Sequence, residues 1–308
     1  MRILRAAAID IGTNSTRLLI AEKNKGGINI LNRSLEITRL GEGVDKSLLL
    51  NEKAVKRVLR ALNNFREKLL KYNVKNIKIV GTSALRDVKN AEVLSERMKE
   101  KFGMELEIIS GEKEAELNYK GAAADLENKF LLLDIGGGST EFIWPKKDRK
   151  LQDSLIFKSL DIGCVRMTER FVKNPALILP DREAESIAKY TSNLLKENEI
   201  NISSDFFIRG VGGTITTLAA IKLSLEKYDS SQIESIRLTT DDLFSIYSKL
   251  KNVSLNKREK ITGLQPKRAD IITAGVIILI TVLKHLDVNK ISVSDRDILY
   301  GLIFEQLK

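Results

Sequence analysis

An α/β protein built from two related domains follows from three observations. A seven-residue pattern occurs twice, as Asp10-Ile11-Gly12-Thr13-Asn14-Ser15-Thr16 and as Asp134-Ile135-Gly136-Gly137-Gly138-Ser139-Thr140, with five of the seven positions identical. Each copy follows an apolar run (Ala6 to Ile9, Phe130 to Leu133) and precedes another (Leu18 to Ala21, Phe142 to Trp144), so each reads as strand, tight polar turn, strand. The 308 residues also exceed the ~250–300 at which a single core usually stops growing.

Taken in order, residues 4–11 and 15–22 form the first hairpin, and Gly26-Gly27 turns the chain into a third strand, 28–39. Gly41 and Gly43 break the pattern. Asn51 caps a helix running to about Tyr72, along which Val55, Val58, Leu59, Leu62, Phe65 and Leu69 keep helical spacing. A short strand, Ile77 to Gly81, ends in the polar turn Thr82-Ser83-Ala84-Leu85-Arg86. A helix over about 90–101 and a strand over 105–109 follow. Ser110 then caps a helix rich in acids, and Gly121 with Ala122–Ala124 marks its end and a hinge. The hairpin over 129–145 restarts the series. A strand at 154–160, a helix at 163–171, a helix from Asp181 to Leu195 and a strand at 206–211 ending in Gly212-Gly213 continue it. A helix from about Thr214, a capping-box-like Thr239/Asp242 pair, a buried helix over 267–286, a strand at 291–293 and a helix at 297–307 complete it. This order is that of the ribonuclease-H-like fold, in duplicate. It predicts domains at 1–123 plus 297–308 and at 124–296, with a cleft between them and short hinges near 121–128 and 294–298.

The apolar content of 43% and charged content of 30% describe a soluble globular chain with sizeable cores. The net charge of +10 favours polyanionic partners, although a merely solvated basic surface accounts for it equally well. Cys164 is the single cysteine, which excludes an intrachain disulfide and points to a reducing cytoplasm. The single histidine, His285, excludes His-rich metal sites and the phosphohydrolases built on paired His and Asp ligands. No protease-like signature flanks Cys164 or His285, and His285 suits a helix end. The longest apolar run, Ile271 to Leu283, is shorter than the ~20 residues of a membrane span, and Asp10 interrupts any leader-like stretch.

Three turns share one design. In the two hairpins a carboxylate (Asp10, Asp134) leads the turn, hydroxyls (Ser15, Thr16; Ser139, Thr140) close it, and glycines let the backbone approach a ligand and form an anion nest. Two such turns suit a phosphate chain with a metal between them. The third, Gly210-Val211-Gly212-Gly213-Thr214, opens a helix whose N-terminus favours an anion. Arg17 and Glu141 occupy equivalent positions after the two turns, a cation in one copy and an anion in the other. Arg86 is either a phosphate clamp or a surface residue. Glu112, Glu114 and Glu116 are each candidates for a general base or for simple helix-dipole partners.

Asp10 to Ser15 with Arg17, Thr82 to Arg86, Ser110 to Ala115, Asp134 to Glu141, Gly212 to Thr214 and Asp295-Arg296-Asp297 with Gly301 together closely resemble the exopolyphosphatase and guanosine pentaphosphate phosphatase family, in order and over nearly the whole chain. That family belongs to the superfamily of actin, sugar kinases and heat-shock ATPases, which agrees with the duplicated fold. The resemblance implies that Glu114 activates water and Arg86 binds the phosphate under attack. It implies that Asp134, with Asp10 and Glu141, holds Mg²⁺, Glu141 also lying near the water. Asn14, Ser15, Arg17, Gly137, Gly138, Ser139, Thr140, Gly213 and Thr214 then line the phosphates. The expected reaction is release of terminal orthophosphate from polyphosphate, from pppGpp (or its tetraphosphate relatives), or from both. Expected partners are those phosphates, with no membrane and no specific nucleic acid; a homodimer is compatible with the pattern. The matched motifs cover two core domains and not the helical C-terminal extension of longer members. Two other readings, a phosphotransferase acting on ADP or a small sugar and a nucleotide-binding actin-like protein, are less favoured because no acceptor-site motif accompanies the turns.

Overall fold

The computed structural model describes residues 4–25, 27–123, 130–146, 155–202 and 206–307. The chain divides into two compact units, residues 1–124 with 296–308, and residues 125–295.

In the first unit β1 (Leu4–Ile11), β2 (Ser15–Asn24) and β3 (Gly27–Ile37) form an antiparallel meander. After α1 (Val44–Ser47) and α2 (Glu52–Lys71), β4 (Asn76–Gly81) returns parallel to β1. The turn α3 (Ser83–Arg86), α4 (Glu92–Phe102), β5 (Glu107–Ile108) and α5 (Gly111–Ala122) follow, giving the sheet order β3-β2-β1-β4-β5.

Strand alternation decides what β1 faces. Ala7, Ile9 and Ile11 join the core that α2 and α4 cover. Ala6 and Ala8 face the other side, where Leu117 of α5 and the last helix pack. Asp10 continues the Ala6–Ala8 parity, so the turn's leading carboxylate falls on the α5 side of the sheet. Asn51 caps α2 by accepting from the Lys53 amide at 2.8 Å. Phe65, fully buried under the sheet, is worth roughly 2–3 kcal/mol of transfer energy to that helix.

The second unit repeats the plan. It runs β6 (Phe130–Ile135), β7 (Thr140–Pro145), β8 (Leu155–Leu160), α6 (Cys164–Phe171), α7 (Asp181–Glu197), β9 (Phe207–Val211), α8 (Gly212–Lys222), α9 (Ser230–Ile233), β10 (Arg237–Thr239), α10 (Thr240–Lys251), α11 (Leu255–Arg258), α12 (Ile272–His285) and β11 (Lys290–Val293). Its sheet order is β10-β11-β9-β6-β7-β8. Read from β8 to β11 it matches the first sheet strand for strand, with β10 added antiparallel at the edge. The final helix, α13 (Ile298–Gln306), returns to the first unit.

Several expected boundaries shift. Thr82–Arg86 is not an open turn: residues 83–86 form one helical turn. Helix α8 starts at Gly212 itself. Pro180, not Asp181, occupies the cap position of α7. The helix expected over 267–286 is a 3-10 turn, Pro266–Arg268, followed by α12. Gly121 does not mark a hinge. It lies inside α5, where a Cβ would overlap the backbone of Asp297, so it is a close-packing residue. Gly26, Lys129, Ser154 and the rest of the first expected hinge, 124–128, lie outside the described residues. Among the described residues no helix is long and apolar enough to cross a membrane.

Candidate active site

The two hairpin turns close identically. The Gly12 amide donates to the Ser15 carbonyl and the Gly136 amide to the Ser139 carbonyl, each at 3.0 Å. In the first unit the chain after β3 secures the turn: the Thr38 and Arg39 amides donate to the Asn14 carbonyl at 3.0 and 2.9 Å, and the Gly41 amide to that of Thr13 at 2.9 Å. In the second unit the Val165 and Arg166 amides donate to the Gly137 carbonyl, and Arg166 Nε reaches the Gly138 carbonyl at 2.8 Å. Gly163 packs against Gly137 and Gly138 so closely that a Cβ would overlap them.

Antiparallel pairing sets Asp10 opposite Arg17 and Asp134 opposite Glu141, so each pair shares a face of its sheet. The first pair is an ion pair. Arg17 donates to Asp10 Oδ2 from Nε at 3.0 Å and from Nη2 at 2.6 Å, and its Nη1 meets Asp297 at the cap of α13. Arg17, expected to line phosphate, is thus held between two carboxylates. Burial raises the pKa of Asp10, with Arg17 pulling the other way. Asp10 Oδ1 and both side-chain polar atoms of Asn14 are buried without a hydrogen-bond partner. Buried polar groups are normally satisfied, so this turn presents acceptors and a donor for something to bind.

The Thr82 amide donates to the Ile11 carbonyl at 3.3 Å, which brings α3 beside the Asp10 turn. Arg86, at the end of α3, donates Nη1 to the Ile109 carbonyl at 3.1 Å and to Glu114 Oε2 at 2.7 Å. Ser110 caps α5 through the Lys113 amide at 3.2 Å, which sets Glu114 at the helix's first turn. The three glutamates separate clearly. Glu112 is exposed and its pKa is lowered by hydrogen bonds at the cap. Glu116 pairs with Lys113 and Lys120, which lowers its pKa. Glu114 is the one paired with Arg86, and burial raises its pKa against the pull of that cation, with Asp10 adding to the rise.

In the second unit Glu141 is buried and accepts from Ser159 Oγ at 3.0 Å. Thr140 is turned to the Ile162 carbonyl. Asp134 lies against Gly212, where the backbone has φ +85° and a Cβ would overlap Asp134 Oδ1. Gly213 opens α8 against the guanidinium of Arg268, and Thr214 is buried in its first turn. Arg268 went unnoticed in the sequence because it reads as a polar flank of an apolar run. Asp297 was noticed as part of a closing motif, but its partner was not.

A divalent cation fits these residues in one manner. Among the described residues no three acidic, His or Cys side chains cluster as a closed cage. Asp134 and Glu141 share a face, where two like charges oppose each other unless a cation lies between, and Asp10 offers a bare buried oxygen. Magnesium is commonly held by one or two carboxylates, with water and substrate phosphate completing its shell. Cys164 is buried with its thiol pKa raised, and His285 Nε2 bonds the Ile200 carbonyl at 3.0 Å.

Residues 19–308 match the Ppx/GppA phosphatase family. The chain is 39% identical over 317 residues to the bifunctional 3-dehydroquinate synthase/phosphatase of Fusobacterium nucleatum, covering 97% of this chain and 46% of that protein. It is 32% identical over 320 residues to exopolyphosphatase 2 of Mycobacterium tuberculosis, covering 98% of each. It is 30% identical to the guanosine-5'-triphosphate,3'-diphosphate pyrophosphatase of Pseudoalteromonas translucida, covering 98% of this chain and 59% of that one. The chain therefore spans about half the length of the first relative and three-fifths of the third. The crystal structure of an exopolyphosphatase from Cytophaga hutchinsonii superposes with a TM-score of 0.88 at 28% identity, covering 98% of this chain and 97% of that one. With the doubled turn and the paired Glu114 and Arg86 in place, the chain belongs to the Ppx/GppA phosphatase family.

Proposed function

We propose that the protein releases terminal orthophosphate from inorganic polyphosphate, from pppGpp, or from both, with Mg²⁺ as the metal. The observation that carries this reading is the Arg86–Glu114 pair at 2.7 Å, set next to a turn whose Asp10 and Asn14 atoms lack partners. The names of two relatives, an exopolyphosphatase and a pppGpp pyrophosphatase, support the substrate class.

In this mechanism Glu114 accepts a proton from a water whose oxygen forms the new bond to the terminal phosphorus. The bridging P–O bond breaks, and the electron pair leaves on the shortened phosphate chain. A raised pKa suits the base, since a stronger base drives proton transfer provided it is ionised at the working pH. When phosphate enters, Arg86 exchanges part of its bond to Glu114 for the phosphoryl oxygens, clamping the group and freeing the carboxylate for water. Asn14 and Ser15 in one turn, Gly137, Gly138, Ser139 and Thr140 in the other, and Gly213 and Thr214 at the start of α8 contribute donors for phosphate oxygens. Arg17 orients Asp10. A magnesium ion on Asp134 and Glu141, with Asp10 as a further carboxylate, supplies neutralisation of the charge gathering on the phosphoryl oxygens. The same proposal sets the enzyme in a reducing cytoplasm, uses no nucleic acid and allows a homodimer.

The test is phosphate release in the presence of Mg²⁺ from long-chain polyphosphate, tripolyphosphate, pppGpp and ATP, with no acceptor added. Release from polyphosphate or pppGpp is expected. Turnover that appears only when ADP or a sugar is supplied would transfer the assignment to a phosphotransferase.

A further inference from the structure

Helix α2 carries Lys53, Lys56, Arg57, Arg60, Lys68 and Lys71 at spacings that align them along one flank, with Glu67 as the acid among them. Like charges at these spacings repel and weaken a helix, and surfaces usually alternate the two signs. The flank therefore bears a cost that an anion lying along it would remove.

Its position relates it to the Asp10 turn. Arg57 donates Nε to the Thr38 carbonyl at 2.6 Å and Nη2 to the Arg39 carbonyl at 3.1 Å. Thr38 and Arg39 are the residues whose amides hold the Asn14 carbonyl. One end of the cationic flank is thus two hydrogen bonds from the phosphate turn. Farther along, Lys68 Nζ bonds Ser34 Oγ on β3 at 2.7 Å, which seats the flank beside the sheet edge. Arg57 is also paired with Glu42, and Lys56 with Glu52 at 3.6 Å. Lys53 and Arg60 make no ion pair, and Lys71 meets only the Tyr72 ring, at 5.8 Å. At 1.5 Å per residue the helix extends for about 30 Å, enough for a run of phosphates.

We propose that this flank of α2 is a binding track for the distal phosphates of an inorganic polyphosphate chain whose reacting end lies at the Asn14 turn. It rests on the hydrolase reading above and narrows it toward the polymer. A short substrate ends before the track and gains nothing from it. A long chain gains one contact for each cation it passes, and these contacts weaken as salt rises.

The experiment compares wild type with the triple variant Lys53→Gln/Arg60→Gln/Lys71→Gln, exposed positions outside the reacting groups, after circular dichroism shows an unchanged fold. Binding of end-labelled long-chain polyphosphate is measured by fluorescence anisotropy over a KCl series, and turnover of tripolyphosphate in parallel. The variant is expected to bind the polymer about tenfold more weakly at low salt, with a log–log salt slope shallower by about 2, and to turn over tripolyphosphate as wild type does. An unchanged affinity and slope overturn the track. So does an equal loss on tripolyphosphate, which would mean the substitutions act through the catalytic turn. If single-stranded RNA competes as well as polyphosphate and loses as much in the variant, the flank is a general nucleic-acid surface and the proposal fails. Absence of phosphate release from any substrate by the wild type would count against the hydrolase reading alone, because the binding arm still decides the track.

Discussion

Glu114 holds its proton to a higher pH than a solvent-exposed glutamate, because burial outweighs the stabilising Arg86 cation. As a base it works only when ionised. The acid limb of kcat is therefore expected above the ordinary glutamate value of 4.5. In Arg86→Gln the cation that lowers the pKa is gone, so the limb should move to still higher pH; a limb that stays put would detach the two residues. Glu114→Gln should cost about 10²–10⁴-fold in kcat, read by phosphate release at saturating Mg²⁺. Asp297 is separable into two jobs, the cap of α13 and the partner of Arg17. Asn at 297 keeps a capping oxygen but loses the charge, whereas Ala loses both. Denaturant melts should place Asp297→Ala about 1 kcal/mol below Asp297→Asn, the usual worth of a cap.

Between elements, the site depends on glycines that let backbones touch. Gly212 joins β9 to α8 with φ +85°, and its missing side chain is the space Asp134 uses. Gly212→Ala combines a left-handed backbone with a displaced carboxylate. It should lower activity more than tenfold and raise the Mg²⁺ concentration needed for half-maximal rate, with stability down by about 1–3 kcal/mol. Gly121 performs a similar service where α5 crosses the start of α13, and the Asn118 side chain accepts from the Ile298 amide there at 2.8 Å. Gly121→Ala pushes α5, and Glu114 with it, away from α13. An overpacking penalty of about 1–3 kcal/mol with a matching loss of kcat is expected. A variant destabilised but fully active would show that Glu114's position tolerates the shift.

For the whole molecule, each unit carries one copy of the turn, and they differ chemically. The first pairs its carboxylate with arginine, and the second sets two carboxylates side by side. If both serve one reaction, Asp134→Ala and Glu114→Gln should each abolish the same phosphate release. Chelation by EDTA should stop it and added Mg²⁺ restore it; release unaffected by EDTA would remove the metal from the scheme. The basic balance of the chain, +10, further predicts that turnover of long polyphosphate falls steeply with salt while that of tripolyphosphate changes little.

Most of the fold was legible because it rests on local rules. The doubled Asp-Ile-Gly pattern, the alternation of β1 and the cap at Asn51 are all short-range signals, and they place strands, turns and α2 within a few residues. The identity of the turns as phosphate loops was equally local, since glycines and hydroxyls at fixed spacing belong to one turn. What stayed hidden was any partnership across long sequence separation. Arg17 was expected to face phosphate, yet its charge is shared by Asp10 and by Asp297, 280 positions away. Arg268 looked like the end of an apolar run and proves to lie against Gly213. Three glutamates on one helix looked alike until packing buried Glu114 beside Arg86 and left Glu112 in water. Charge type and local periodicity are properties of the chain, whereas the proton affinity of a carboxylate depends on which distant groups the fold brings beside it.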